Sequence, residues 1–201
     1  MTRYLSVLGL GFGDCGKGRF VDALCRQTGV HTVVRFNGGA QAGHNVVLDD
    51  GRHHTFSQFA AGSFDPQVHS VLSQAVVVHP SALLVEAQVL AGQGVAAPLQ
   101  RLWIDARCRV TTPYHQAAGR LREWVRGAQA HGTCGVGVGE TVAQSLRDPA
   151  AALRYGDLRS RTVALEKLEA LRTALCVQLE PWLASAGPQD AAAAQEAAVL
   201  R

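Results

Sequence analysis

The sequence predicts an α/β fold in which crossover helices cover a mostly parallel sheet. Two observations support this fold: short apolar runs alternate with helix-like segments along the 201 residues, and Gly-rich loops follow the first two runs. Parallel strands need long crossover connections, which usually contain a helix, so the alternation is typical of this class. The length fits a single domain over 1–201, and it also fits an incomplete part of a larger one.

The first part of the chain has the clearest order of strand, loop and helix. An apolar run at 4–10 leads through a Gly-rich loop into a predicted helix that includes 19–24. A second apolar run at 31–36 precedes another Gly-rich loop. The pair Asp50-Gly51 then predicts a hairpin between strands at 46–48 and 52–56.

The same order continues further along the chain. Residues 70–79 have the pattern of a buried strand, and Pro80 is placed where a helix commonly begins. We predict one more strand at 102–110 and a helix at 160–182, where leucines recur at helical spacing. The Ala- and Gln-rich end after 187–188 indicates a frayed helix or a cut end.

Composition argues against several classes of protein. The formal net charge is +3 and the basic residues are scattered, which argues against nucleic acid as a partner. No apolar run approaches the roughly 20 residues of a membrane helix. The five cysteines show no paired CxxC spacing, and no basic segment with a cleavage signal opens the chain. We therefore expect a reduced, cytoplasmic protein without disulfides or a zinc site.

The loop from Gly11 to Lys17 has the G-x-x-x-x-G-K spacing of a phosphate-binding loop. In such a P-loop-like nucleotide-binding domain, backbone N–H groups, the helix N-terminus and the lysine all attract phosphate. Gly18 replaces the hydroxyl residue that ligates magnesium, and Asp14 brings a carboxylate into the loop. That carboxylate would repel phosphate unless it held a metal or took up a proton; the alternative is that Asp14 only caps the helix.

Two more Gly-rich stretches are candidate ligand loops. Residues 37–45 follow a strand end, where α/β folds place ligand-binding loops, and contain His44. A histidine there could act as a general acid, or could serve only as a hydrogen-bond donor within the loop. Residues 131–139 form the third stretch, whose glycines permit close approach to a ligand but also suit a flexible linker.

Together the three stretches resemble the motifs of the adenylosuccinate synthetase family. The family patterns G-D-E-G-K-G-K, R-[FY]-x-G-G-x-N-A-G-H and G-T-T-G-R-G-I-G-P correspond here to 13–19, 35–44 and 132–139, and 156–158 resemble a further landmark. The resemblance implies a GTP-dependent carbon–nitrogen ligase that joins IMP and L-aspartate to give adenylosuccinate, GDP and phosphate in AMP biosynthesis. It also implies Mg2+ as a cofactor and a homodimer.

The resemblance assigns roles to individual residues. Asp14 would be the catalytic base that deprotonates IMP, and His44 would be the acid partner that stabilises attack on the γ-phosphate of GTP. Asp14 and the Gly43 carbonyl would ligate magnesium. The implied GTP contacts are Gly13, Asp14, Cys15, Gly16, Lys17, Gly18, Arg19, Gly43, His44 and Asn45. The implied IMP contacts are Asp14, Cys15, Gly16, Lys17, Gln41, Ala42, Gly43, His44 and Cys134, with Arg147 reaching an IMP phosphate on the neighbouring subunit.

Several positions depart from the family pattern. Cys15 replaces a Glu, Arg19 a Lys, Gln41 an Asn and Cys134 a Thr, and each change alters shape or hydrogen bonding near the nucleotide. The chain also stops before the family's guanine-recognition and aspartate-binding segments. Two alternatives therefore stay open: a related synthase that uses another purine nucleotide, and a non-catalytic remnant that binds nucleotide or pairs with a full-length subunit. An unrelated P-loop NTPase would leave the second motif unexplained.

Overall fold

The structure is a computed structural model that describes residues 4–11, 13, 15–185 and 190–201. These residues form a mixed α/β chain, which confirms the predicted fold class. The chain divides into two compact units, one formed by Met1–Ser73 and Ser81–Ile104, the other by Gln74–Pro80 and Asp105–Arg201. Compact units are not by themselves separate domains, so the single domain expected over 1–201 stays a prediction.

A three-stranded parallel sheet forms the centre of the first unit. Its strands are β1 (Thr32–Arg35), β4 (His69–Leu72) and β6 (Leu102–Ile104), in the order β1–β4–β6. Val33 pairs with Ser70, and Val71 pairs with Trp103. The parallel register confirms the sheet type that the alternating pattern predicted.

Two helices and a hairpin complete the first unit. Helix α1 spans Lys17–Thr28, and helix α2 spans Pro80–Gly92, of which Pro80 belongs to the second unit. Strands β2 (His44–Val47) and β3 (His53–Phe56) pair as an antiparallel hairpin. The predicted turn at Asp50-Gly51 is confirmed, because Gly51 has a φ of 86°, a conformation that glycine adopts without strain.

Much of the core of the first unit comes from the end of the hairpin and the chain that follows it. Phe56, Phe59, Val68 and Leu72 are each at most 1% exposed. Helix α1 packs closely against this segment: a Cβ added to Gly62 would lie 2.6 Å from the Cys25 Sγ atom. The tight contact holds α1 against the core.

The second unit combines a small parallel pair of strands with four helices. Strand β5 (Val77–Val78) pairs with β7 (Arg109–Val110). The helices are α3 (Pro113–Arg126), α4 (Val138–Arg147), α5 (Arg161–Ser185) and α6 (Ala191–Leu200). Leucines and alanines from three of them form one buried cluster: Ala117, Ala118, Leu121, Leu171, Leu175, Leu179, Leu183, Ala193, Ala197 and Leu200.

Three of the predicted strands differ in the structure. Residues 4–10 form no strand; they pair with no other strand, and Tyr4, Leu8 and Leu10 are exposed. The run at 70–79 splits into β4 and β5, which belong to different sheets. The run at 102–110 splits into β6 and β7 because Asp105 starts a turn, in which its carboxylate accepts the Arg107 N–H at 2.8 Å.

The helix predicted at 160–182 is confirmed, but two other helices were not predicted from the sequence. Helix α3 begins with a Thr112 cap followed by Pro113, a start signal that the sequence carries. Helix α4 follows directly from the third Gly-rich stretch. The chain end was predicted as a frayed helix or a cut end; the structure has a helix there, α6, which is packed and not frayed, since Ala193 and Leu200 are at most 1% exposed. Across the described ranges, no helix is both long and apolar enough to cross a bilayer.

Candidate functional site

The first two Gly-rich loops border one cavity of about 700 Å³ in the first unit. Nine of the sequence-predicted site residues line it: Gly13, Gly16, Lys17, Gly18, Arg19, Ala42, Gly43, His44 and Asn45. Arg35 and Asn37, from the end of β1 and the loop after it, line the same cavity. The structure therefore brings together two motifs that are separated in sequence, at the carboxyl end of a parallel strand, where α/β folds bind ligands.

Helix α1 presents its N-terminus to this cavity. Gly16 precedes the helix in a left-handed conformation, with φ 67° and ψ 20°, and none of the described side chains caps the helix. The first turn contains no acidic residue. Its backbone N–H groups and the positive end of the helix dipole are therefore suited to an anion such as phosphate.

Helix α1 and strand β2 meet at Gly18 and His44. A Cβ added to Gly18 would lie 2.8 Å from the His44 Cβ, 2.9 Å from its carbonyl carbon and 3.0 Å from its Cα. Contacts this short leave no room for a side chain. Gly18 thus has a packing role, which explains why the hydroxyl residue expected from a standard phosphate loop is absent.

Lys17 folds back over the loop. Its Nζ donates a hydrogen bond to the Cys15 Sγ at 3.3 Å, and a Cβ on Gly9 would lie 2.8 Å from the same Nζ. This hydrogen bond, together with the lysine charge, lowers the pKa of the exposed Cys15 thiol. The ammonium group therefore lies within the loop that the spacing predicted to bind phosphate.

His44 is partly buried at the start of β2. Burial lowers the pKa of its imidazole, and the positive charges of Arg35 and Lys17 lower it further, whereas Glu86 acts in the opposite direction. A neutral imidazole can still donate one N–H to a developing oxyanion. The geometry is thus compatible with the charge-stabilising role implied for His44.

Two charged groups that affect this histidine, Arg35 and Glu86, were not predicted from the sequence. The Arg35 Nη1 donates a hydrogen bond to the Ser57 carbonyl. The Glu86 carboxylate, from α2, accepts the N–H groups of Ser57 at 2.8 Å, Gln58 at 2.8 Å and Phe59 at 3.3 Å. Arg35 is the first residue of the second motif, so the motif could have indicated it. The position of Glu86 is known only from the tertiary structure.

The remaining candidates in the first unit are less defined. Asp14, the implied catalytic base and magnesium ligand, lies outside the described residues. Gln41 and Cys15 are exposed on the two loops. Next to Gln41, the Ala42 N–H donates to the Gly39 carbonyl at 3.1 Å, which closes a turn that leads into Gly43.

The third Gly-rich stretch leads into α4 in the second unit. Gly137 caps α4 with a φ of 86°, and a Cβ there would lie 2.9 Å from the Thr111 Oγ1. The Thr141 hydroxyl is 2.8 Å from both the Thr111 Oγ1 and the Gly137 carbonyl. These contacts make the end of this stretch a fixed turn against the start of α3, not a flexible linker.

Two predicted IMP contacts lie in this second unit. Cys134 is exposed in the middle of the stretch. Arg147, in the last turn of α4, donates to the side-chain oxygens of Gln144 at 3.2 Å and Gln178 at 3.0 Å. The roles of both residues in IMP binding stay predictions.

The sequence matches the adenylosuccinate synthetase family model over residues 6–196. It is 37% identical over 169 residues to an adenylosuccinate synthetase of Shewanella frigidimarina, which covers 84% of this chain and 38% of that protein. It is 38% identical over 158 residues to the enzyme of Nitrosococcus oceani, which covers 79% of this chain and 35% of that protein. The chain thus spans less than two fifths of the length of these two relatives.

Two solved structures share the fold. Fully ligated adenylosuccinate synthetase from Plasmodium falciparum superposes with a TM-score of 0.72 at 22% identity, covering 94% of this chain and 41% of that one. Cyanophage S-2L succinoaminodeoxyadenylate synthetase, bound to dGMP and dATP, superposes with a TM-score of 0.56 at 23% identity, covering 72% of this chain and 38% of that one. Given the family model match and the two curated relatives, this chain belongs to the adenylosuccinate synthetase family.

Proposed function

We propose that this chain is the phosphate-handling part of a GTP-dependent ligase, which joins IMP and L-aspartate to give adenylosuccinate, GDP and phosphate. One observation carries the proposal: Lys17 and His44, from two separate motifs, line one cavity. A phosphate loop alone is compatible with many activities. A phosphate loop fixed against a histidine loop supports phosphoryl transfer to an acceptor held beside it.

In this reaction each residue has a defined task. Lys17 and the first turn of α1 bind the phosphates of GTP. Asp14 removes the proton from the purine ring of IMP. The O6 atom of the IMP base then attacks the γ-phosphate of GTP, while His44 stabilises the negative charge that develops. The amino group of L-aspartate displaces phosphate from the phosphorylated IMP to give adenylosuccinate.

A magnesium ion fits the donor chemistry of the site. Magnesium commonly takes one or two protein ligands and completes its shell with water and phosphate oxygens. Gly43, whose carbonyl the resemblance assigns to the metal with Asp14, lines the cavity beside Lys17. No cluster of three or more His, Cys, Asp or Glu side chains in the described ranges could form an all-protein cage. The bound ion would neutralise phosphate charge.

The proposal also covers the oligomeric state and the cellular location of the protein. We propose a cytoplasmic homodimer, in which Arg147 of one subunit reaches an IMP phosphate in the other. The guanidinium already has two side-chain amide acceptors, Gln144 and Gln178, within the same subunit. Those amides are neutral, so a phosphate would be a stronger partner for the same group.

A second candidate uses another purine nucleotide in the same chemistry. It is favoured by Gln41 and Cys134, which replace the Asn and Thr of the family pattern where IMP is expected. Cys134 is a poor substitute for a hydroxyl that donates to phosphate. The cyanophage enzyme that shares the fold is bound to dGMP and dATP, so dGMP and dATP are the first alternative substrates to test.

The test is a spectrophotometric assay of the chain with GTP, magnesium, IMP and L-aspartate, and in parallel with dGMP and dATP. The Asp14→Ala and His44→Asn variants should each lose at least 100-fold in rate, the usual range for a general acid or base. The control is His31→Asn, since His31 is exposed and outside the cavity. Equal rates in all variants would refute the assignment of both residues.

Nucleotide binding separates the remaining possibilities. If the chain alone shows no turnover but binds GTP, and Lys17→Ala abolishes this binding, the phosphate site is supported and the chain alone is non-catalytic. Adding a full-length relative should then change the size of the assembly. If the chain does not bind GTP, the proposed function is wrong.

A further inference from the structure

We infer that Arg35 is a second phosphate-binding cation of the cavity that Lys17 lines, and that Glu86 positions it through the segment 57–59. The inference rests on the proposed function, because the expected ligand is the polyphosphate of a nucleotide. It adds Arg35 as a contact and Glu86 as a positioning residue for the same site.

The place of Arg35 in the fold favours contact with a ligand. Arg35 is the last residue of β1, and it lines the cavity together with Lys17 and His44. Side chains at the carboxyl ends of parallel strands reach the ligand site in α/β folds. Its neighbour in the sheet is Leu72, which is fully buried, so this end of β1 is fixed by the core.

The hydrogen bonding of Arg35 is incomplete within the described part of the chain. A guanidinium has five N–H donors. Only the bond from Nη1 to the Ser57 carbonyl is formed there, and Arg35 makes no ion pair with a described carboxylate within 4 Å. Burial lowers the pKa of Arg35, because it partly removes the charged group from water. An anion in the cavity would supply both the missing acceptors and the missing charge.

Glu86 fixes the segment that holds Arg35. Its carboxylate is buried and accepts three consecutive backbone N–H groups, from Ser57 to Phe59. Arg35 binds the carbonyl of the first of these residues. Both sides of Ser57 are thus engaged, its N–H by Glu86 and its C=O by Arg35. Because the Glu86 oxygens are engaged by the backbone, they set the position of Arg35 without forming an ion pair with it.

The positive charges of Lys17 and Arg35 both act on His44. Both charges lower the pKa of His44, so the electrostatic fields of the two cations overlap at this histidine. A polyphosphate placed there would meet a point charge from lysine and a planar fork of donors from arginine. Arginine binds phosphate with two parallel hydrogen bonds, so its loss should weaken binding strongly.

The experiment measures binding of inorganic tripolyphosphate, which isolates phosphate recognition from base recognition. Calorimetric titrations compare the wild-type chain with Arg35→Gln, Lys17→Ala and Glu86→Gln. The control is Arg52→Gln, which removes the same charge from the same unit, at a partly exposed residue paired with Asp50 at 2.8 Å and outside this cavity. We expect at least tenfold weaker binding for Arg35→Gln and a several-fold loss for Glu86→Gln, with Arg52→Gln close to wild type.

The outcomes separate this inference from the proposed function. Binding that is lost in Lys17→Ala but unchanged in Arg35→Gln would overturn the inference and leave the phosphate site intact. Equal losses in Arg35→Gln and Arg52→Gln would also overturn it, because net charge would then be the cause. Absence of binding by the wild-type chain would overturn both.

A second measurement does not depend on folding of the variants. Phenylglyoxal modifies arginine side chains, and tripolyphosphate should slow the modification of Arg35 in the wild-type chain at least tenfold, as read by mass spectrometry of peptides. Arg52 provides the internal reference, since it should react at the same rate with and without the anion. Equal modification of Arg35 in both conditions would overturn the inference.

Discussion

Replacing Gly18 by Ala should destabilise the chain, although Gly18 lies within helix α1. In a helix this change normally raises the free energy of unfolding by as much as about 1 kcal/mol. Here the new Cβ would lie 2.8 Å from the His44 Cβ and within 3.0 Å of two His44 backbone atoms. Backbone atoms cannot move aside by changing a rotamer, and such overpacking costs about 1–3 kcal/mol. The expected net result is a loss of about 1–2 kcal/mol.

The assay is urea unfolding followed by circular dichroism, with two glycine controls. Gly139 holds the same position in α4 as Gly18 does in α1, and in both helices a left-handed glycine precedes the first residue. Gly92 lies in α2, which belongs to the first unit from residue 81 on. A Cβ on either control would meet no atom within 4 Å. Both control variants should therefore be neutral or more stable than the wild type.

The same substitution should weaken nucleotide binding. Relief of the contact requires α1 or β2 to shift by several tenths of an ångström, and these elements carry Lys17 and His44. We expect GTP affinity to fall by at least tenfold in Gly18→Ala and to stay unchanged in Gly92→Ala. A Gly18→Ala chain that is more stable than wild type would refute the packing argument, since helix propensity alone would then account for the result.

Three further predictions concern the second unit. Leu179→Ala should cost about 2–5 kcal/mol because Leu179 is fully buried, whereas Val177→Ala, at a residue 70% exposed, should change stability by less than about 0.5 kcal/mol in the same urea assay. Thr141→Val should cost about 0.5–1.5 kcal/mol, since it removes the hydrogen bond from the Thr141 hydroxyl to the Thr111 Oγ1, while the Gly137 carbonyl keeps the Thr141 N–H; equal unfolding midpoints would contradict this. Burial lowers the pKa of His115 from 6.5 to about 4, so the unfolded chain binds its proton first, and stability should fall by up to about 3 kcal/mol as pH drops from about 6.5 to 4. His115→Gln should flatten that slope.

Patterns within single segments predicted much of the fold. The helix at 160–182 and the hairpin at Asp50-Gly51 depend on local spacing and turn chemistry, and both are confirmed. The prediction of one strand at 102–110 was wrong because a turn, closed by the Asp105 carboxylate, interrupts it. The prediction of a strand at 4–10 was wrong for another reason: apolar composition does not determine whether a partner strand is adjacent.

The residues of the candidate site also differ in how far the sequence alone predicts them. Lys17 and His44 carry motif signals, so the sequence alone indicated them, and the structure places both at one cavity. Arg35 lies inside a motif, but the role proposed for it depends on its hydrogen bond to the Ser57 carbonyl, which only the structure shows. Glu86 has no sequence signal, because its function depends on three backbone N–H groups that only the folded chain presents to it. Buried acceptors of this kind are specified by tertiary structure.

The departure at Gly18 connects the two motifs physically. Judged against a standard phosphate loop, Gly18 is a lost magnesium ligand and weakens the prediction of nucleotide binding. In the structure a hydroxyl side chain at this position would begin with the Cβ that His44 excludes. A chain that keeps His44 this close to α1 must therefore give up the hydroxyl at this position. If magnesium binds as proposed, the carboxylate of Asp14 and the carbonyl of Gly43 would supply oxygen donors of the kind that Mg2+ prefers, and the unusual acid in the loop would compensate for the missing hydroxyl.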